Sequence, residues 1–404
     1  MSDKAVEMRK PAMSVRRTAM LGAMLTALGP ISMAIYTPAM PELVRAFATT
    51  ESAIKMSLTL YFGGFAMAQL LAGAVSDGFG RRKATIFFLL IYLIGGALAA
   101  FAPNVEILLA ARLVQGIGAS VGVTVARAVV RDQFTGAQAS GILNLIGIML
   151  AVGPAAGPTI GGLSLLAFGW QSVFVLMLGF GLASLTTIFL LLRETTTADP
   201  TRLLPARLLS AYCELLSSLR FLLSAFVLAG TVGALFAQST MLPFILINEV
   251  GLTPTAFGVG MLMQSGFYFL GSIALRLIVK RIGERHATLL GLFLCATGAV
   301  LIFVSVHFIA PTFLSIMGPV AVATFGLALI TPYIITIGMA PFPHIAGSAS
   351  AMMGFIQMSA GFAGGVAASI IGSPLTSFGI VIPGMELAAV LSYFILVALS
   401  RRQT

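Results

Sequence analysis

Arg112 is the residue whose type and setting most invite a chemical question. It is the only charged side chain between Glu106 and Arg127, and the apolar run around it continues into Gln115-Gly116-Ile117-Gly118. A guanidinium keeps its proton in proteins, so it cannot act as an acid or base. It can instead set the proton affinity of a neighbouring acid or water. Gln115, three residues on, shares its helix face. A second group, Asp77, Arg81, Arg82 and Asp132, has the residue types for charge-assisted carboxylate–guanidinium pairs. A third consists of uncharged polar residues in apolar runs: Tyr36, Tyr61, Gln115, Asn144, Gln238, Gln264, Tyr268, Tyr333 and Gln357. Among phenylalanines and methionines, such groups suit a bulky, mostly apolar ligand held by a few polar contacts. Each could equally bridge two helices. Covalent chemistry finds no support: there is no nucleophile–base pair, nucleotide loop or metal-ligand spacing around His286, His307 or His344. Cys213 and Cys295 imply no disulfide framework. No catalytic residue, metal or cofactor is expected.

The elements that position these groups follow from composition. Hydrophobic residues make up 58% of the 404 and charged residues 9%, where a soluble domain carries about 25% charged. Most of the surface must therefore face lipid. Runs of roughly 20 apolar residues, enough to cross a bilayer as helix, occupy 18–41, 56–76, 84–105 and 107–126. Two more lie within 133–192, broken near Phe168-Gly169-Trp170, and two at 221–248 and 250–275. Three fill 286–385, broken at His307–Pro311 and Pro341–His344, and a last fills about 380–400. The expected fold is an all-α membrane protein of twelve spans. Twenty of the 23 lysines and arginines then fall on one side, which makes both termini cytoplasmic and explains the net charge of +10 without nucleic acid. Arg45 and Lys55 fall in the first outer loop, and Arg112 in the membrane. No carboxylate lies near the midplane. Asp77 and Asp132 sit at the inner face, Glu42, Glu51, Glu106 and Glu249 near the outer one, and Glu386 about six residues into the last span. For Glu386 two readings stand, solvation at the interface, which is favoured, and a coupling role beside Arg112. The division expected is a tail at 1–17, a six-helix bundle at 18–192, a linker at 193–220, a second bundle at 221–400 and a tail at 401–404. The linker's leucines, interleaved with Arg207 and Glu214, fit a helix on the membrane surface or a solvated connection.

The segment Gly73-Ala-Val-Ser-Asp77-Gly-Phe-Gly80-Arg81-Arg82-Lys83 resembles the signature loop of the major facilitator superfamily, and Lys280-Arg281-Ile282-Gly283 is a degenerate echo of it. Gly153-Pro154-Ala-Ala-Gly157-Pro158-Thr-Ile-Gly161-Gly162 resembles the superfamily's antiporter pattern in span 5, although Asn144 stands where a further glycine is often found. Ile35-Tyr36-Thr37-Pro38-Ala39-Met40-Pro41, Arg127-Ala-Val-Val-Arg131-Asp132 and Ala346 to Gln357 look like the bicyclomycin/chloramphenicol-resistance (Bcr/CflA) branch of drug:proton antiporters. That branch commonly has an aspartate at the position of Ala34.

The resemblance implies two six-helix bundles in the inner membrane. It assigns gating to Gly73, Asp77, Gly80, Arg81, Arg82 and Asp132, and proton coupling to Arg112. Glu386 is the nearest acid to it in depth. Gly153, Gly157, Pro158 and Gly161 mark antiport. The implied partners are protons, membrane lipid and a small drug-like molecule handled by a monomer. Without an acid at Ala34, neutral or zwitterionic amphiphiles are favoured over cations. The alternatives are a carrier of a sugar or organic acid, and a membrane-embedded enzyme.

Overall fold

The computed structural model describes residues 11–400. The basic residues at 4, 9, 10, 401 and 402 lie outside the described residues. Helices form where the apolar runs are, and they end where the backbone can no longer continue. The first half has α1 (Val15–Tyr36), the short α2 (Met40–Ala46), α3 (Glu51–Phe79), α4 (Arg81–Ala100), α5 (Val105–Ala119), α6 (Val121–Gln133), α7 (Gly136–Phe168) and α8 (Gln171–Leu191). The predicted fourth span is thus α5 and α6 in succession, parted at Ser120 and reaching further than expected. Side-chain oxygens of Ser14, Thr50 and Asn104 accept from the first turns of α1, α3 and α5.

After 193–203 comes α9 (Pro205–Ser217), a mostly exposed helix whose Leu215 is buried in the core of the second half. There follow α10 (Leu219–Gln238), the single turn α11 (Leu242–Phe244), α12 (Pro254–Phe308), α13 (Phe313–Met339), α14 (Ala346–Ile371) and α15 (Pro374–Ser400). The span expected at 221–248 stops early. Ser239 and Thr240 return their hydroxyls to the carbonyls of Leu235 and Ala237, and Pro243 has no N–H to donate. The 55 residues of α12 would make a rod of roughly 80 Å. Gly283 breaks it with a φ of 78°, open to glycine and strained for other residues.

Among the described residues, ten helices are long and apolar enough to cross a membrane, α12 being counted once. The 33-residue α7 is not among the ten. One hydrophobic cluster draws on residues 13–192 together with Phe244, and two others on residues from 215 onward. The halves meet where α3 runs along α14 and α7 along α12. At the second crossing the backbones nearly touch: a Cβ added at Gly258 would fall 2.5 Å from the Pro158 carbonyl oxygen.

Candidate functional site

Helix α5 carries Arg112 into the interior of the first half, where it is 0% exposed. Its guanidinium carbon lies 4.3 Å from the centre of the Tyr36 ring and 4.5 Å from that of Tyr61, within cation–π range. Nη1 donates to Gln115 Oε1 at 2.5 Å. The cage is itself tied down. Tyr36 Oη and Ser57 Oγ are 2.5 Å apart, Tyr61 Oη donates to the Gly29 carbonyl at 3.2 Å, and Tyr92 Oη and Ser32 Oγ are 2.6 Å apart. Arg112 Nε and Nη2 have no hydrogen-bond partner. Among the described residues no carboxylate reaches the guanidinium, so the neighbouring acid that it was expected to tune is not beside it. The glycines that follow Arg112 explain the tight cage. A Cβ at Gly116 would lie 2.1 Å from the Tyr61 carbonyl oxygen, so α3 can approach only a glycine.

At the end of the bundle that carries the basic loops, Arg81 is 2% exposed and forms a second polar cluster. Its Nε donates to Asp132 Oδ2 at 2.9 Å, Nη1 donates to Ser76 Oγ at 2.8 Å, and it pairs with Asp77. Gly80, at φ 94°, turns the chain so that α4 can start at once. The exposed N–H groups of that start are capped by Glu194, which accepts from Arg81 N at 2.8 Å and Arg82 N at 3.2 Å. Thr195 Oγ1 donates to Asp132 Oδ2 at 2.9 Å. Arg82 Nη2 donates to the Phe189 carbonyl at 2.7 Å. A Cβ added at Gly73 would make only an ordinary contact with Thr124. Glu194 was missed in the sequence because its partners are more than a hundred residues away. Tyr212 of α9 donates to the Leu70 carbonyl at 2.6 Å, and burial pushes its phenol up to about 12.

Gly153, Gly157 and Gly161 form one stripe of α7, and it faces α1. Their added Cβ atoms would fall 3.0 Å from Pro30, 2.4 Å from the Ala34 methyl and 2.3 Å from the Ile35 carbonyl oxygen. Ala34 is therefore a packing residue against Gly157. Pro158 lies on the other face, against α12.

A cavity of about 230 Å³ lies between the halves, displaced toward the basic end. Its walls are Gly29, Pro30 and Met33 of α1, Phe65 and Gln69 of α3, Val123 and Arg127 of α6, Phe236 of α10, Ile335 and Met339 of α13, and Ser350, Met353, Gly354, Gln357 and Met358 of α14. Of the eight expected ligand-contacting residues whose side chains are described, only Gln357 lines it. Tyr36, Tyr61 and Gln115 belong to the Arg112 cage instead. Gln238 and Gln264 are buried in helix contacts, and Tyr268 and Tyr333 are half-buried. The side chain of Asn144 lies outside the described residues. Gln69 and Arg127 went unassigned. Gln69 is a lone amide in an apolar run, a signal that was available, whereas Arg127 reads in the sequence as one more topology charge.

The opposite end of the seam is shut. Lys55, expected in a loop, opens the second turn of α3 with 0% exposure and donates to the carbonyls of Ala368 at 2.9 Å and Gly372 at 2.5 Å. Ser52 Oγ adds a bond to the Ser369 carbonyl at 2.9 Å. The second correction concerns Glu386, which is 4% exposed rather than solvated. It sits against Cys295, and its Oε2 has no hydrogen-bond partner. Helix α15 turns this position toward α12, a matter of helical phase that depth along the chain does not reveal.

Residues 22–365 match the family model described as Major Facilitator Superfamily. The chain is 30% identical over 354 residues to an uncharacterised MFS-type transporter, YdgK, of Bacillus subtilis (strain 168), covering 85% of this chain and 86% of that one. It is 24% identical over 373 residues to multidrug resistance protein D of Escherichia coli (strain K12), with coverages of 92% and 93%. It is 27% identical over 346 residues to a chloramphenicol resistance protein of Pseudomonas aeruginosa, with coverages of 84% and 80%. The solved structure of a D-xylose–proton symporter superposes with a TM-score of 0.71 at 14% identity, over 94% of this chain and 98% of that one. That likeness concerns the fold.

Proposed function

The chain belongs to the major facilitator superfamily, and from that premise we propose that it exports drug-like amphiphiles by proton antiport with alternating access. It is a multi-pass transporter of the inner (plasma) membrane and not an enzyme. The Bcr/CflA resemblance read from its motifs is matched by relatives named for multidrug and chloramphenicol resistance. In this proposal α12 counts as two spans and α7 as one, giving twelve with both termini cytoplasmic. Residues 18–192 and 221–400 are the two moving bundles, and 193–220 is the linker between them. The basic end is then the cytoplasmic side. The Arg81–Asp77–Asp132 cluster serves as gating machinery, and the glycine stripe of α7 lets α1 slide closely.

The observation that carries the reading is the cavity between the halves, walled by methionine and phenylalanine, with few polar groups and no carboxylate in its lining. Such a chamber favours neutral or zwitterionic amphiphiles over cations, which would enter low dielectric without a counter-charge. A sugar carrier needs a denser set of hydroxyl-bonding groups than Gln69, Ser350 and Gln357 supply. Arg112 is assigned to coupling, acting through the tyrosine cage on water or on a group brought near as the halves move. The test is full-length protein in liposomes holding a pH-sensitive dye, challenged with a panel of antibiotics. Drug addition should drive proton movement. Arg112→Ala should abolish it, and Glu386→Gln should hardly change it. Export by the parent that ignores pH would end the antiport assignment, and a response to sugars but to no amphiphile would end the drug assignment.

A further inference from the structure

Arg127 is the only charged residue in the cavity lining. It projects from α6, exposed, and its Nη1 donates to Ser350 Oγ of α14 across the seam at 3.0 Å. One neutral hydroxyl leaves most of a guanidinium's five donors open to a ligand. The surroundings reinforce its sign. Arg131, one turn along α6, has Nη1 3.8 Å from where a Cβ of Gly347 would lie, beside the first turn of α14. The N–H groups at that helix start present partial positive charge. The acids nearby are engaged elsewhere: Asp132 with Arg81, and Glu214 with His344 at 2.9 Å. Among the described residues no acid lines the cavity to balance this positive floor, while Met33, Met353, Phe65 and Phe236 wall the space above it.

We propose that Arg127 is the recognition residue for an acid group on the exported molecule, whose class is therefore an amphiphile bearing a carboxylate, either anionic or zwitterionic. The inference rests on the export reading and, within it, favours acids over neutral amphiphiles. A carboxylate can take both nitrogens of the guanidinium fork in place of the single bond to Ser350, with its apolar body against the methionine and phenylalanine wall. Because that bond joins the two halves, a ligand that displaces it meets the guanidinium at the seam itself.

The experiment uses purified full-length protein and three probes that share one fluorophore: dansylglycine with a carboxylate, dansylglycinamide without charge, and dansylcadaverine with an ammonium. Binding is read from fluorescence enhancement and transport from uptake into inverted vesicles. The parent should bind dansylglycine about tenfold or more tighter than the amide, and the ammonium weakest. Arg127→Gln should bring the carboxylate to within about twofold of an unchanged amide. Arg127→Lys should retain part of the preference, since it keeps the charge and loses the fork. If the glutamine variant does not fold, the parent's ranking and the lysine variant decide. An amide bound as tightly as the carboxylate by the parent would overturn the acid class and leave drug export standing. An equal loss for all three probes in Arg127→Gln would make Arg127 a tie between the halves and overturn the inference. Failure of the parent to bind any probe would overturn the cavity as the export site as well.

Discussion

The two ends of the seam along α14 are closed by different physics. At the far end Lys55 is wholly buried and places its ammonium on carbonyls at the C-terminus of α14, where the helix is electronegative. At the basic end the exposed Arg127 of α6 reaches the hydroxyl of the half-buried Ser350 beside the cavity. A buried cation that loses its acceptors bears the full desolvation cost, so the far closure holds or fails as a unit. An exposed bond is exchanged for water at little cost, and the basic closure can be opened by a ligand. The two ends of α14 therefore carry a firm seal, made to α3, and a yielding one, made to α6.

Removing the firm seal should have the largest effect. Lys55→Met removes the ammonium from both carbonyls, of which Ala368 keeps the Gly372 N–H and the Ser377 hydroxyl as donors. Each bond to a charged group is worth about 1.5–3 kcal/mol, so thiol labelling of a Ser369→Cys reporter, in a Cys213→Ser background, should speed up by about tenfold to a hundredfold. Unchanged labelling would mean that Lys55 only caps α14. Next in size is Asp77→Asn, which leaves Arg81 with Asp132 and Ser76 alone. Export from vesicles should fall by about tenfold while membrane insertion stays normal, and normal export would sink the gating assignment. The smallest effect is expected for Ser350→Ala. Losing this exposed bond should change labelling near the basic end by about twofold, with export retained. A change as large as that of Lys55→Met would erase the distinction between the two ends.

Much of this protein was legible from residue order. The breaks at Gly169, at 307–311 and at 341–344 fall where glycine, proline and histidine interrupt long apolar runs, and the helices end there. The Asp77, Arg81 and Asp132 cluster was readable because charges that cannot enter lipid collect at one depth, and the structure brings them together. The pairing of Arg112 with Gln115 followed from helical spacing alone.

What composition and spacing determined is the solvent of the protein, the approximate position of its helices and the depth of each charge. The rest required the tertiary structure. Lys55 finds acceptors 313 and 317 residues away, and Glu194 caps a helix begun more than a hundred residues earlier. Glu386 faces the interior because of its rotation about α15, and the cavity is lined by Arg127 and Gln69 because α6 and α3 turn those faces to α14. Sequence fixes how far along a span a residue lies. Which neighbour it meets depends on helix phase and on the partner's register, and both are set by the close packing of whole faces.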